Sequence, residues 1–351
     1  MGVLSRVTLL AIGLLFVTEA CVAAELSIQS IDILGYRETT SGCKLGTPVK
    51  LHLTLGGPSS QISGPVSAEV LISDSASAQI TWLGPCVDGF VSGTGIVEAK
   101  INNKVVWRYE GEVRNGLANG QGTSHTPGGM TVSGIWHDAR IDGPVVLSIE
   151  GGLHYEGGWK VDGFEGYGIE TLADGSRFEG NWHHGQLEGH GTLTKPNGGS
   201  YDGNWHAGTM SGFGIVKYPS GSTYEGEVQQ GKRNGHGTQS WASSHIEANW
   251  KDDVPDGPVS LTFGNGAHYE GGFYDWKMNG HGTMVSRHGT RYVGEWRDGF
   301  ADGEGTLVRP DIPPFSGLCK HGCFQDGSRS TAFGVDPSSC PKANAAPLPH
   351  Q

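Results

Sequence analysis

Acidic side chains recur along this chain in a pattern that could support acid–base chemistry. Seven of them directly follow a large apolar or aromatic residue: Glu110, Glu156, Glu179, Asp202, Glu225, Glu247 and Glu270. With one such acid per β-hairpin, neighbouring carboxylates would lie about 9–10 Å apart, close to the separation of a glycosidase pair. Acid–base catalysis needs two carboxyls in different environments, whereas these acids share the same local sequence. We therefore predict that the row is not catalytic and that the protein is not an enzyme.

Histidine and glycine also suggest chemistry that their spacing does not support. His190, His236 and His281 occupy equivalent Gly-His-Gly positions two sequence units apart, which corresponds to about 19 Å in a sheet. Ligands of one metal ion each bond it at about 2 Å, so no metal site is predicted. The glycine-rich segment 163–168 precedes a predicted strand and no helix, and a phosphate loop requires a helix N-terminus. No cofactor is predicted.

These residues belong to a repeat of about 23 residues. Its first position is aromatic in seven copies: Tyr109, Tyr155, Phe178, Tyr201, Tyr224, Tyr269 and Tyr292. Two degenerate copies begin at Val132 and Ile246. Tryptophan stands four residues after most of these anchor residues, and a Gly-x-Gly follows, as in Gly189/Gly191. Nine units therefore run from about residue 109 to 308, and the tail of an incomplete earlier unit extends the array to residue 89.

The spacing within a unit predicts a strand. The anchor, a glycine and the tryptophan occupy positions i, i+2 and i+4, which lie on one face of a strand. A polar turn follows, and the Gly-x-Gly begins a returning strand. We therefore predict an all-β fold: an elongated, single-layer antiparallel sheet of stacked β-hairpins. Glycine lacks a Cβ, so we expect it to leave room for a neighbouring aromatic ring. Burial of a ring contributes roughly 2–3 kcal/mol, against roughly 0.5–1 kcal/mol lost per glycine.

The repeated sequence motif resembles the MORN (membrane occupation and recognition nexus) repeat, approximately Y-E-G-x-W-x-x-G-x-x-x-G-x-G. Tyr224-Glu225-Gly226 through Gly231, Gly235 and Gly237 matches it, and the segment 292–305 matches with Val293 in place of the acid. The resemblance implies a hairpin array that serves as a scaffold for protein partners, for self-association or for contact with membranes.

We predict that aromatic side chains of the array line a shallow binding groove. The candidates are Tyr109, Tyr155, Trp159, Phe178, Trp182, Tyr201, Trp205, Tyr224, Tyr269, Tyr292 and Trp296. The first hypothesis is a non-enzymatic scaffold that binds a protein or a second copy of itself, so that a homodimer is one outcome. The alternative is a glycan or cell-wall binding protein, with sugars stacked on exposed rings. A peripheral membrane protein ranks last, because the net charge of −12 opposes anionic lipid. The same charge excludes a nucleic-acid binder.

The first 24 residues predict export. Arg6 precedes an apolar run at 7–17, and Val22-Ala23-Ala24 offers a small-residue cleavage site before Glu25, as in a secretory signal peptide. We expect a periplasmic or secreted protein, with lipid attachment at Cys21 as a weaker alternative. Residues 25–88 are predicted to form a small β-rich module that caps the sheet, and 309–351 a Cys- and Pro-containing tail.

Two features outside the aromatic pattern yield further predictions. Exported cysteines tend to pair, and the disulfide candidates, whose pairing the sequence leaves open, are Cys43, Cys86, Cys319, Cys323 and Cys340. Five is an odd number, so one is unpaired or paired between chains, or the cleavage site lies elsewhere. Pro144 and Pro258, which are 114 residues apart, replace the middle residue of Gly-x-Gly in the two degenerate units. Proline cannot donate a ladder hydrogen bond, so we predict a bend in the sheet at both.

Overall fold

The computed structural model describes residues 25–38, 44–56, 78–160, 163–310, 312–326 and 329–340. The predicted signal peptide at 1–24, with Cys21, lies outside these residues, as does Cys43. Within them the chain is almost entirely β-strand, with a single short 3-10 helix at Pro337–Ser339. None of the described helices is long and apolar enough to span a bilayer.

The strands are numbered in chain order. They are β1 Glu25–Glu38, β2 Lys44–Gly56, β3 Ala78–Leu83, β4 Cys86–Val87, β5 Phe90–Val91, β6 Gly93–Ile101, β7 Lys104–Arg114, β8 Leu117–His125, β9 Met130–His137, β10 Arg140–Ile149, β11 His154–Lys160, β12 Gly163–Thr171, β13 Arg177–His183, β14 Gln186–Thr194, β15 Ser200–His206, β16 Thr209–Lys217, β17 Thr223–Gln229, β18 Lys232–Trp241, β19 Ser244–Lys251, β20 Val254–Thr262, β21 His268–Tyr274, β22 Lys277–Val285, β23 Arg291–Arg297, β24 Phe300–Arg309, β25 Ile312–Lys320, β26 Cys323–Asp326 and β27 Arg329–Ala332.

One long antiparallel sheet contains 23 of these strands, and their order confirms the predicted array. From β6 to β27 each strand pairs with the one that follows it in the chain, and β3 pairs with β6. The strands β1, β2, β5 and β4 form a separate sheet in that order, in which β2 and β5 are parallel. Three of these strands lie within the predicted N-terminal module at 25–88, and β5 lies just beyond it.

The long sheet extends past both predicted boundaries of the array. The segment Ala78–Leu83, assigned from the sequence to the N-terminal module, pairs with β6 and so belongs to the array sheet. At the other end β25, β26 and β27 continue the ladder into the predicted tail. Strand pairing satisfies backbone groups that an edge would otherwise leave open, and it does not require the repeat sequence.

Each unit is a hairpin because alternation and turn residues agree. In β13 the side chains alternate between buried and exposed, with Phe178 and Trp182 inside. His184 and Gly185 connect β13 to β14 with φ values of +49° and +81°. Two central residues with positive φ match the twist of the flanking strands, as in a type I′ turn.

A bulge recurs in the returning strand of every full unit. Gly180 pairs with Gly191 and Trp182 with Leu187, so three residues of β14 face one residue of β13. The first glycine of Gly-x-Gly, here Gly189 with φ of +76°, lies in this bulge. A left-handed backbone favours glycine, which explains the first glycine of the pair without any ring.

The ladder continues past both prolines on one side only, and a bend of the sheet at them stays a prediction. Pro144 pairs with Gly158 of β11 and Pro258 with Gly272 of β21, within unbroken registers. On the opposite side both lie in the bulge that every unit has, where the strand before them offers no register partner. Proline is tolerated at bulges because the ladder is already interrupted there.

Candidate functional site

The eleven aromatic residues predicted to line a groove are brought together in one buried row. Their exposed fractions run from 0 to 5%. Each is inside the sheet packing, so the structure gives these rings a structural role. That they also contact a partner stays a prediction.

Glycines receive the rings, as the sequence predicts. A Cβ added at Gly214 would lie 2.4 Å from Cε2 of Tyr201, and one at Gly203 would lie 2.5 Å from the Cα of Gly214. The same collision with the unit's own tyrosine occurs at Gly122, Gly168, Gly237, Gly282 and Gly305. At Gly191, whose unit begins with Phe178, the close neighbour is Trp205 of the next unit, 3.1 Å away.

The hydroxyls of these tyrosines and the indole N–H groups of Trp182, Trp205 and Trp296 are directed at backbone. The tyrosine hydroxyl donates to the carbonyl oxygen three residues on, as from Tyr224 to Glu227 at 2.7 Å and from Tyr201 to Asn204 at 2.9 Å. The indole N–H donates to the second glycine of the preceding Gly-x-Gly, as from Trp205 to Gly191 at 2.9 Å. Burial raises the pKa of Tyr201, Tyr224 and Tyr269 to about 12. The hydroxyls therefore remain protonated donors at physiological pH.

Adjacent units interlock through these rings. Tyr109 meets Trp136 edge-to-face with centroids 5.5 Å apart, and Tyr269 meets Trp296 at 5.3 Å. Each pair joins the anchor of one unit to the tryptophan of the next. Such contacts add roughly 0.5–1.5 kcal/mol beyond buried area, so every hairpin depends on its neighbour.

Ring and glycine are lost together in the two degenerate units. Val132 and Ile246 replace the anchor, and Val145 and Val259 occupy the position of the second glycine. All four are buried in the apolar row. A smaller anchor leaves volume that a valine side chain fills, so the interior remains packed without an aromatic ring.

The acidic row lies on the opposite face and is directed to solvent. Glu110, Glu156, Asp202, Glu225, Glu247 and Glu270 are exposed, and Glu179 is half-buried. A hydrogen bond from the Tyr167 hydroxyl lowers the pKa of Glu179, assisted by Arg177. That shift favours a permanently charged carboxylate, the reverse of what a general acid needs.

Each of the three Gly-His-Gly histidines lies beside an acid, and for two of them that acid belongs to the acidic row. His190 Nε2 lies 3.0 Å from Asp202, His236 Nε2 lies 3.1 Å from Glu247, and His281 Nδ1 lies 3.1 Å from Glu295. In the part of the chain that the structure describes, no cluster of three or more His, Cys, Asp or Glu side chains could hold a metal ion.

Glu170 is a residue of note that the sequence reasoning missed. It is fully buried between Tyr155 and Phe178, with which it is in register, and neither carboxyl oxygen has a hydrogen-bond partner among the described residues. Burial raises its pKa from 4.5 to about 8. The equivalent positions of neighbouring units hold Leu147 and Leu193, so comparing units would have revealed it.

The cysteines of the C-terminal region separate into a pair and a single residue. The sulfur atoms of Cys323 and Cys340 lie 2.06 Å apart, with Cα atoms at 5.4 Å, as a disulfide requires. Cys319 is buried and free, and burial raises its thiol pKa to about 12. Disulfide bonding in an exported protein stays a prediction.

Comparison with known proteins agrees with the geometry. The MORN repeat model matches seven segments: 109–131, 155–177, 178–200, 201–223, 224–246, 269–291 and 292–311. The stretches it omits are the units that begin at Val132 and, apart from its first residue, at Ile246, which have the hairpin without the aromatic anchor. No curated protein matches the chain.

Among solved structures, the wild-type TCP10 domain of CPAP from Danio rerio is similar at 9% identity and a TM-score of 0.31. The match covers 54% of this chain and 89% of that domain. A similarity of this size carries no argument about function. The repeats themselves are informative about function, because proteins built from them generally serve as non-enzymatic scaffolds in protein or membrane interactions. With seven matched copies on a ladder of hairpins, this chain is a MORN repeat protein.

Proposed function

We propose that this protein is an exported, non-enzymatic scaffold that binds a protein partner, or a second copy of itself, along its array. One observation carries the proposal: the aromatic residues of the repeat are buried in the packing of the sheet. Trp205 is only 2% exposed and Trp296 only 5%. The repetition therefore builds a long surface on which acidic and histidine side chains recur once per hairpin or once in two hairpins. A reaction centre would instead need unlike groups gathered in one place.

The alternatives have less support. Glycan binding by the predicted rings would require open ring faces, and these faces are covered. Membrane binding is opposed by the net charge of −12, which repels anionic headgroups. Export rests on the signal-like segment at 1–24 and on the pattern of cysteines in the sequence.

The test has a localisation arm and a binding arm. The tagged full chain is expressed in cells, which are fractionated, and the mass of the exported form is measured; we expect cleavage after Ala24. Lysine-reactive crosslinking of the exported fraction is then followed by mass spectrometry. We expect reproducible crosslinks from the array to one protein or to a second copy of the chain.

The matched control carries Gly214→Ala and Gly237→Ala, which disrupt ring packing and leave every lysine in place. Crosslinks that persist in this variant would not require the folded array and would contradict the scaffold proposal. A chain retained in the cytosol would contradict the export proposal while leaving the scaffold proposal open to the same crosslinking in that compartment.

A further inference from the structure

The outer face of the array, opposite the buried anchors, carries a second periodic feature. The middle residue of Gly-x-Gly is directed outward, and in four consecutive units it is a ring. We define the ring row as Tyr167, His190, Phe213 and His236 on β12, β14, β16 and β18. Tyr167 is 58% exposed and Phe213 is 54% exposed. Flat apolar surface in open solvent at regular intervals is not explained by packing within the chain.

A row of carboxylates runs beside these rings. We define the acid row as Glu179, Asp202, Glu225 and Glu247 on β13, β15, β17 and β19, the strands that alternate with those of the ring row. Tyr167 donates a hydrogen bond to Glu179, while His190 and His236 contact Asp202 and Glu247 at 3.0 and 3.1 Å. Each polar ring thus contacts the acid of the following strand.

Phe213 breaks this pattern, because it has no polar atom. Within the described residues Glu225 has no ion pair. Phe213 lies directly opposite Glu227, and Ile215 lies between Asp202 and Glu225 in register. An exposed apolar surface is therefore surrounded by carboxylates at the centre of the two rows.

We propose that this face binds an extended cationic segment of a protein partner, with a lysine or arginine at every third residue. The proposal rests on the scaffold function above and names the class of partner. Cations are attracted to the faces of aromatic rings and form charge-assisted hydrogen bonds with carboxylates, so one Lys or Arg satisfies both rows at once. Anionic occupants such as nucleic acid and acidic lipid are repelled by the acid row.

The period of the sheet sets the spacing of the segment. Each hairpin contributes two strands about 4.8 Å apart, so successive rungs lie about 9.6 Å apart. A polyproline-type extended chain rises about 3.1 Å per residue, so three residues span about 9.3 Å. Arg177, at the start of β13, already forms an ion pair with Glu179 at one end of the acid row. The two spacings agree, so we expect the segment to run across the strands.

The binding test uses peptides and the full-length protein. The probe is a fluorescent twelve-residue peptide of four Lys-Ser-Pro triplets, compared with a peptide of the same composition whose four lysines are contiguous. Anisotropy titrations at low and high salt measure affinity. We expect the triplet peptide to bind more tightly than the contiguous one and to lose affinity with salt.

The decisive variant combines Phe213→Ser with Glu225→Gln, and we expect it to weaken binding of the triplet peptide about tenfold. The matched control combines Tyr274→Ser with Asp275→Asn, which removes an exposed ring and a carboxylate at a turn outside both rows. It should bind like wild type. All four positions are exposed, and circular dichroism verifies that both variants fold.

Equal affinity for the two peptides, or wild-type binding by the Phe213/Glu225 variant, would overturn the proposal. Binding of cell-wall oligosaccharides that depends on Phe213, without peptide binding, would overturn it in favour of a glycan. If crosslinks to an exported protein partner persist while the peptides fail, only this inference fails. If no partner is crosslinked to the array at all, the scaffold proposal has failed as well.

Discussion

At the scale of single residues, the two glycines of the Gly-x-Gly pair are needed for different reasons. Gly212, with φ of +91°, allows the left-handed backbone of the bulge. Gly214 has no such φ, and what it provides is space for the ring of Tyr201. The sequence predicted the second role, whereas the first requires the bulge, which appears only when two strands are in register.

The role of Gly214 is testable by adding one methyl group. We expect Gly214→Ala to lower stability by roughly 2–3 kcal/mol, because its Cβ would overlap the ring of Tyr201. The midpoint of urea unfolding, followed by circular dichroism, measures the change. The control is Gly128→Ala, whose Cβ would lie 3.9 Å from Thr126 Oγ1 and which has no positive φ. Equal effects of the two substitutions would contradict the packing role.

Glu170 predicts a pH-dependent stability. Its folded pKa of about 8 lies above its ordinary value of 4.5, so the folded state holds a proton that the unfolded chain releases between these values. Stability is therefore fully present below about pH 4.5 and is lost as pH rises through 8, by at most about 1.4 kcal/mol per pH unit. Glu170→Leu should remove this loss and be most stabilising at pH 8 and above.

Thermal unfolding midpoints measured from pH 4 to pH 9 would check this expectation. Glu156→Gln serves as the control, because Glu156 is exposed and its replacement should leave the pH profile unchanged. Parallel profiles for wild type and Glu170→Leu would show that the carboxyl gains a partner or solvent in solution and would refute the prediction.

At the scale of elements, the bulged hairpin explains which sequence changes the array tolerates. Pro258 is paired on one side only, and its equivalents in the units with an aromatic anchor are histidine, tyrosine, phenylalanine, glutamine or glutamate. Thr192, by contrast, is paired with Glu179 on one side and Asp202 on the other. The cost of proline in this sheet should therefore depend on position within the hairpin.

We expect Pro258→His to change stability by less than about 1 kcal/mol, because the bulge already interrupts the ladder there. Thr192→Pro should cost about 1–3 kcal/mol, because it removes a hydrogen-bond donor from a strand paired on both sides. Urea unfolding of both variants measures the contrast. A large loss on replacing Pro258 would mean that the proline itself shapes the sheet.

At the scale of the whole molecule, one repeated sequence motif produces two faces of the sheet with different roles. The inner face holds the aromatic anchors, whose contacts join each unit to the next and support the continuous ladder. The outer face carries acids, histidines and a few exposed rings. The chain as a whole has a net charge of −12, which favours a basic partner and disfavours anionic surfaces. The peptide titrations test this preference for a basic partner, and crosslinking of the exported fraction tests whether the full chain binds a protein partner.

The sequence by itself determined the hairpin array and its buried row, because positions i, i+2 and i+4 of a strand share a face whatever lies beside it. Only the tertiary structure decided which neighbour each group meets. Strand register places Glu170 between two rings, brings each tryptophan to the preceding unit's glycine, and positions both prolines in bulges. Those outcomes depend on atoms from adjacent strands, about 4.8 Å away across the sheet, and local spacing along one strand carries no information about them.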